Sequence, residues 1–168
     1  TPDNNVHIVA CDVGQGDGLL IYKGETQIII DGGPNNKIEQ CLSKYLPFWD
    51  RKIEIVILTH PQSDHFFGLT EIFNRYYIEH YFSLSLQSDG EEYKKLLEAI
   101  EAEYTNTHIQ KIGTILRTSG ITLDYLWPPA EAVEAKEFGD DPNLYSAVFY
   151  LHYGDFDALF TGDTVPEV

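Results

Sequence analysis

The sequence predicts one mixed α/β domain spanning residues 1–168, and three observations carry that expectation. Short apolar strand patterns alternate with stretches of helical periodicity. The strands of the first half run into turns that bear Gly, Asp or His. The chain then closes on two strand patterns that meet at Gly154-Asp155. Composition agrees: 168 residues can bury one core, and 43% apolar with 23% charged residues is ordinary for a globular chain.

Taken in order, His7–Val13 reads as a strand that ends in the turn Gly14-Gln15-Gly16-Asp17-Gly18. Leu19–Tyr22 and Thr26–Ile30 read as a hairpin around Gly24-Glu25, stopped at Asp31-Gly32-Gly33-Pro34. Lys37–Leu46 is helical, with Ile38, Cys41, Leu42 and Tyr45 on one face. The apolar run Ile53–Thr59 predicts a buried strand, followed by a histidine-bearing loop and a helix near Phe66–Tyr76. A strand at His80–Leu84, an amphipathic helix at Glu91–Glu103, and strands at His108–Ile112 and Ile121–Leu126 come next. Pro128–Pro142 is an excursion whose acidic part, Glu131–Asp141, reads as a solvated loop; strands at Leu144–Tyr153 and Phe156–Thr161 end the chain.

The net charge of −16, from 11 basic and 27 acidic residues, makes a poor general surface for nucleic acid. A nucleic-acid substrate would have to be held by bound metal and a local patch. The same acidity argues against contact with anionic membranes, and no apolar run approaches the length of a membrane span. The chain begins at Thr1 rather than Met, which leaves room for an upstream signal or anchor. Cys11 and Cys41 read as two buried thiols among apolar neighbours, with a single disulfide as the alternative.

Thr59-His60-Pro61-Gln62-Ser63-Asp64-His65 carries the chemistry. It sets two imidazoles and a carboxylate at the end of an apolar strand, where open α/β sheets bind ligands. Imidazole nitrogens plus a carboxylate are a donor set for zinc, manganese or iron. The bland alternative is a hydrogen-bonded polar cluster at the strand ends.

Four motifs then occur in sequence: Asp12-Val13-Gly14-Gln15-Gly16-Asp17-Gly18, Asp31-Gly32-Gly33, His60-Pro61-Gln62-Ser63-Asp64-His65 and Thr161-Gly162-Asp163. Together they resemble the metallo-β-lactamase superfamily, and specifically the metallo-β-lactamase-like domain of ComEC-type DNA-uptake (competence) proteins. The Asp-Val-Gly-Gln-Gly-Asp run and Asn143-Leu144-Tyr145-Ser146 carry the subgroup resemblance, and the whole spans Val6 to Thr164. The resemblance implies an αββα sandwich and a two-metal hydrolase in which water on the metals attacks the substrate. It places His60 in the first metal site, Asp64 and His65 in the second, and Asp163 as the bridging ligand. His60 and Asp64 would be catalytic. Asp31 would orient the histidine loop, and Asp17, Gly14 and Gly16 would support the floor of the site.

This sequence departs from the family pattern in three places. Gln62 stands where the family has its second His, and Asn143 where many relatives have another; both read as weak ligands or as polar lining. The last family His would fall beyond Val168, so the resemblance implies a fold that continues past that point. The implied cofactor is one or two divalent ions, Zn or Mn, in a weakened or asymmetric site. Amide oxygens at the first site favour manganese or magnesium over zinc.

The expected function is metal-dependent hydrolysis of phosphodiester bonds, with DNA as substrate class. The rivals are a non-catalytic binding or scaffold domain, and hydrolysis of a small ester, lactam or nucleotide. The resemblance also implies an exported or extracytoplasmic location. His7, His80, His108 and His152 show no ligand spacing and read as ordinary strand residues, and Cys11 lacks the His partner of a nucleophile. The Gly14–Gly18 turn precedes a hairpin rather than a helix, so it is no dinucleotide fingerprint.

Overall fold

The computed structural model describes residues 3–165, in which two sheets face each other. The first has six strands: β1 (His7–Ala10), β2 (Leu19–Lys23), β3 (Thr26–Ile30), β4 (Lys52–Ile57), β5 (Tyr77–Ser83) and β6 (Asn106–Ile109). They lie side by side in chain order, antiparallel from β1 to β3 and parallel from β3 to β6. The second sheet, β7 (Ile115–Thr118), β8 (Ile121–Trp127), β9 (Val148–Tyr153) and β10 (Phe156–Phe160), is antiparallel throughout.

Three helices, α1 (Lys37–Tyr45), α2 (Ser63–Arg75) and α3 (Glu91–Ala102), supply the parallel crossovers. Their apolar stripes, including Ile38, Leu42, Leu69, Phe73 and Leu96, pack with Ile29, Val56 and Ile78. Ile28, Ile30, Ile57 and Phe82 belong to a second core layer, where they meet Leu123, Tyr125, Phe149 and Leu151 of the second sheet. β4 thus contributes to both layers, which is why its sequence reads as a nearly continuous apolar run. Helices on a sheet on a sheet supply three of the four layers of the expected αββα sandwich among the described residues. The parallel strands turn their carboxyl ends to one rim, and the site lies there.

Several boundaries differ from the sequence expectation. β1 ends at Ala10, because Cys11–Gly18 folds back on itself, Cys11 N–H donating to Gly18 O at 2.9 Å. Cys11 and Cys41 are joined in a disulfide rather than left as thiols. The four-residue β7 was not expected; its partner β8 reaches it through the tight Ser119-Gly120 turn. The acidic excursion contains a short helix, α4 (Ala130–Ala135), that places Val133 in the inter-sheet core, so it is not simply a solvated loop. The expected strand from Leu144 starts only at Val148, after a 3-10 turn over Pro142–Tyr145. No helix among the described residues is long and apolar enough to cross a membrane.

Candidate metal centre

β4 ends at Ile57, and Leu58-Thr59-His60 carry the chain over the rim before α2 begins at Ser63. The helix starts earlier than its apolar periodicity suggests, so Asp64 and His65 lie on its first turn rather than in a loop. Gln62 is the capping residue: its carbonyl accepts from His65 N–H and Phe66 N–H, both at 3.0 Å. Two further bonds pin this helix start to the end of β3, Gly32 N–H to His65 O at 2.6 Å and Gly68 N–H to Gly33 O at 3.0 Å.

Asp31 anchors the cluster. It is 1% exposed, in a left-handed conformation (φ 59°) directly after β3. Its Oδ1 accepts Thr59 N–H at 2.8 Å, and its Oδ2 accepts both the Thr59 hydroxyl at 2.7 Å and His65 Nδ1–H at 2.9 Å. Because the Thr59 hydroxyl gives its proton to Asp31, its oxygen is left to accept from His60 Nδ1, 3.1 Å away. One carboxylate therefore fixes the ring orientation of both histidines, one directly and one through Thr59. Both rings are fully buried, 4.1 Å apart between centroids, and among the described residues both Nε2 atoms lack a hydrogen-bond partner.

Asp163, in the turn after β10, comes to 3.4 Å from His65 Nε2 and keeps 40% of its side chain exposed. His60, His65 and Asp163 form one group whose ligand atoms all lie within 4.8 Å of one another; Asp17, Asp31 and His65 form a second. Asp64 belongs to neither group, though its charge helps to hold His65 protonated. Gly16 supports it from below: at φ +114° it packs against the Asp64 carbonyl, where any Cβ would overlap. Gly14 also has a positive φ, with Lys37 Nζ the nearest atom to where a Cβ would stand. Asn143 sits in the 3-10 turn, and its buried Oδ1 has no partner among the described residues.

Electrostatics separates the two histidines. Burial, and then the neighbouring His65, push His60 below the usual imidazole range. Burial also works against the charged form of His65, but the hydrogen bond and charge of Asp31, followed by Asp163 and Asp64, hold it at about 9. Burial and the nearby Asp31 raise Asp17 above the ordinary carboxyl range. Two buried imidazole nitrogens without partners, converging on a carboxylate, fit a divalent cation. Next to them opens a cleft of about 420 Å³, walled by Asp17, Asp31, Thr59, Leu159, Phe160 and Gly162.

The sequence profile of the metallo-β-lactamase superfamily matches residues 11–168. This chain belongs to the metallo-β-lactamase superfamily. The fold of the metallo-β-lactamase fold protein YhfI from Bacillus subtilis is similar, with a TM-score of 0.62 at 16% identity, over 94% of this chain and 61% of that one. Zinc-bound PqqB from Methylobacterium extorquens matches 85% of this chain and 47% of its own length, at 11% identity and a TM-score of 0.51. The diiron β-hydroxylase CmlA from Streptomyces venezuelae matches 98% of this chain and 30% of its own, at 16% identity and a TM-score of 0.58. This chain thus spans about three-fifths of YhfI and less of the other two.

The sequence pointed to His60, His65, Asp163 and Asp31, and the fold brings these four to one place. It missed Thr59 and Ser146, whose hydroxyls tie the site together. A Thr before the first His and a Ser three residues after Asn143 carry no ligand signal of their own. The other histidines do lie on strands, but His80 and His108 also share a hydrogen bond across β5 and β6 at 3.1 Å.

Proposed function

We propose that this domain is a metal-dependent hydrolase in which His60, His65 and Asp163 hold a divalent cation. The observation that carries this is the pair of buried Nε2 atoms, unpartnered among the described residues, facing Asp163. Asp64 and Asp17 flank the group and would add charge for a second ion. A bound cation would lower the pKa of water toward neutrality and polarise the bond to be cleaved. The chain's own part is to present both imidazoles in the right tautomer, to hold them in place through the hydrogen bonds of Asp31, and to leave one side open to the cleft. Zinc, manganese and iron all suit two imidazoles and a carboxylate, and solved relatives carry zinc or two irons.

Phosphodiester cleavage, with DNA as substrate class, is the finer reading. It rests on the Asp12–Gly18 and Asn143–Ser146 runs that resemble ComEC-type proteins. The Cys11–Cys41 disulfide supports an oxidising, extracytoplasmic location. A second reading, a non-catalytic binding domain, draws on Gln62, which contributes backbone caps to α2 where relatives have an imidazole.

The test is hydrolysis by protein stripped with chelator and then reloaded with manganese or zinc. A chromogenic phosphodiester, linear DNA and a chromogenic lactam would be compared. Phosphodiester turnover that vanishes on chelation and returns with metal is the expected result. Activity that survives exhaustive chelation would sink the metal mechanism, and lactam turnover alone would replace DNA with a small substrate. Activity appearing only in Gln62→His would establish the binding-domain reading for the natural chain.

A further inference from the structure

We infer that Ser146 is the positioning residue that sets the distance between Asp163 and the histidines; this rests on the metal-site reading above. The histidines belong to the first sheet and Asp163 to the second, so the spacing between them depends on how the two sheets are tied together at the rim. Ser146 is fully buried at that seam. Its own N–H donates to Asn143 O at 3.0 Å, which closes the 3-10 turn. The next residue, Ala147, donates its N–H to Thr59 O at 3.0 Å, one residue before His60. This fixes Ser146 to the histidine side.

Three contacts then run from Ser146 to the carboxylate side. Its Oγ accepts Asp163 N–H at 3.0 Å, and its carbonyl accepts the Thr164 hydroxyl at 2.7 Å. Between them Gly162, at φ +49°, lies so close that a Cβ would overlap Ser146 Oγ and touch Thr59 as well. The turn that carries Asp163 is therefore held by one hydroxyl, one carbonyl and one missing side chain. Asp163 is partly exposed, and among the described residues its carboxylate has the 3.4 Å approach to His65 Nε2 but no hydrogen bond. Its position follows from the backbone that Ser146 holds. Deleting the hydroxyl leaves Asp163 N–H free to turn to water, so the fold survives while the carboxylate loses its register.

The experiment compares Ser146→Ala, Gly162→Ala and Asp163→Asn with the parent protein. Manganese and zinc affinities are read by titration, and thermal stability is read on metal-free protein. Removing an outer hydrogen-bond partner of a metal ligand typically weakens metal binding by about tenfold or more. The inference predicts such a loss in both Ser146→Ala and Gly162→Ala, with metal-free Ser146→Ala melting close to the parent. Ser146→Ala that binds metal within about twofold of the parent, while Asp163→Asn loses it, would overturn the role of Ser146 and leave the metal site standing. Unchanged affinity in Asp163→Asn would overturn Asp163 as a ligand, and the inference with it.

Discussion

His60 and His65 are fully buried, and the Nδ1 atom of each is held by hydrogen bonds that end on Asp31. Asp163 faces them from a turn with 40% of its side chain in solvent, and that turn is tied to Ser146 through the Ser146 hydroxyl, the Thr164 hydroxyl and the close approach of Gly162. Half of the site is thus built into the rigid rim of the parallel strands. The other half hangs from the end of an antiparallel strand. The histidine side is coupled to folding, whereas the carboxylate side depends on the contacts of one turn with Ser146. Stability and metal binding should therefore respond separately to changes on the two sides.

The strongest way to break this contrast is at Asp31. Asp31→Ala would leave Thr59 N–H, the Thr59 hydroxyl and His65 Nδ1 buried without acceptors, a cost of about 4 kcal/mol. Chemical denaturation should show that loss together with loss of metal. A midpoint close to the parent would mean that Asp31 does not anchor the rim.

The pH dependence of metal-free protein comes next. His65 is raised from 6.5 to about 9 in the folded state, so its interaction with Asp31 contributes fully below pH 6.5 and is lost as the pH rises through 9. Melting temperature should therefore fall between pH 7 and pH 9.5, and the slope should disappear in Asp31→Asn. Added metal must displace the His65 proton, so affinity should rise over the same range. A metal-free melting temperature that is flat across it would contradict the charged His65.

The smallest stability effect belongs to the other side. Asp163→Asn removes a half-exposed carboxylate and should change stability by no more than about 0.5 kcal/mol while weakening metal binding. A large stability loss there would erase the distinction between the two halves.

Much of the rim was legible in the sequence because its ligand types stand at strand ends, where period-2 and period-3.6 patterns break off. His60 and His65 are recognisable in that way, and Asp31 and Asp163 through the resemblance of their motifs to the superfamily. The start of α2 was not, since Ser63, Asp64 and His65 carry no apolar periodicity, and only the cap at Gln62 with the bonds to Gly32 and Gly33 makes that turn helical. Thr59 and Ser146 act through contacts 28 and 17 residues away, a range that local pattern does not reach. The His80–His108 pair escaped for the same reason, and the Cys11–Cys41 bond stood only as the alternative to two thiols, these residues being 28 and 30 apart and joined only by the fold. β7 was too short, and too evenly half-exposed, to stand out as a strand.

The most direct test of the metal centre is elemental analysis of chelator-stripped protein re-equilibrated with manganese or zinc, beside His65→Ala treated in the same way. The account predicts one or two retained ions per chain in the parent and a clear loss in the variant, with both proteins folded by circular dichroism. A folded parent that retains no ion from either solution would contradict it.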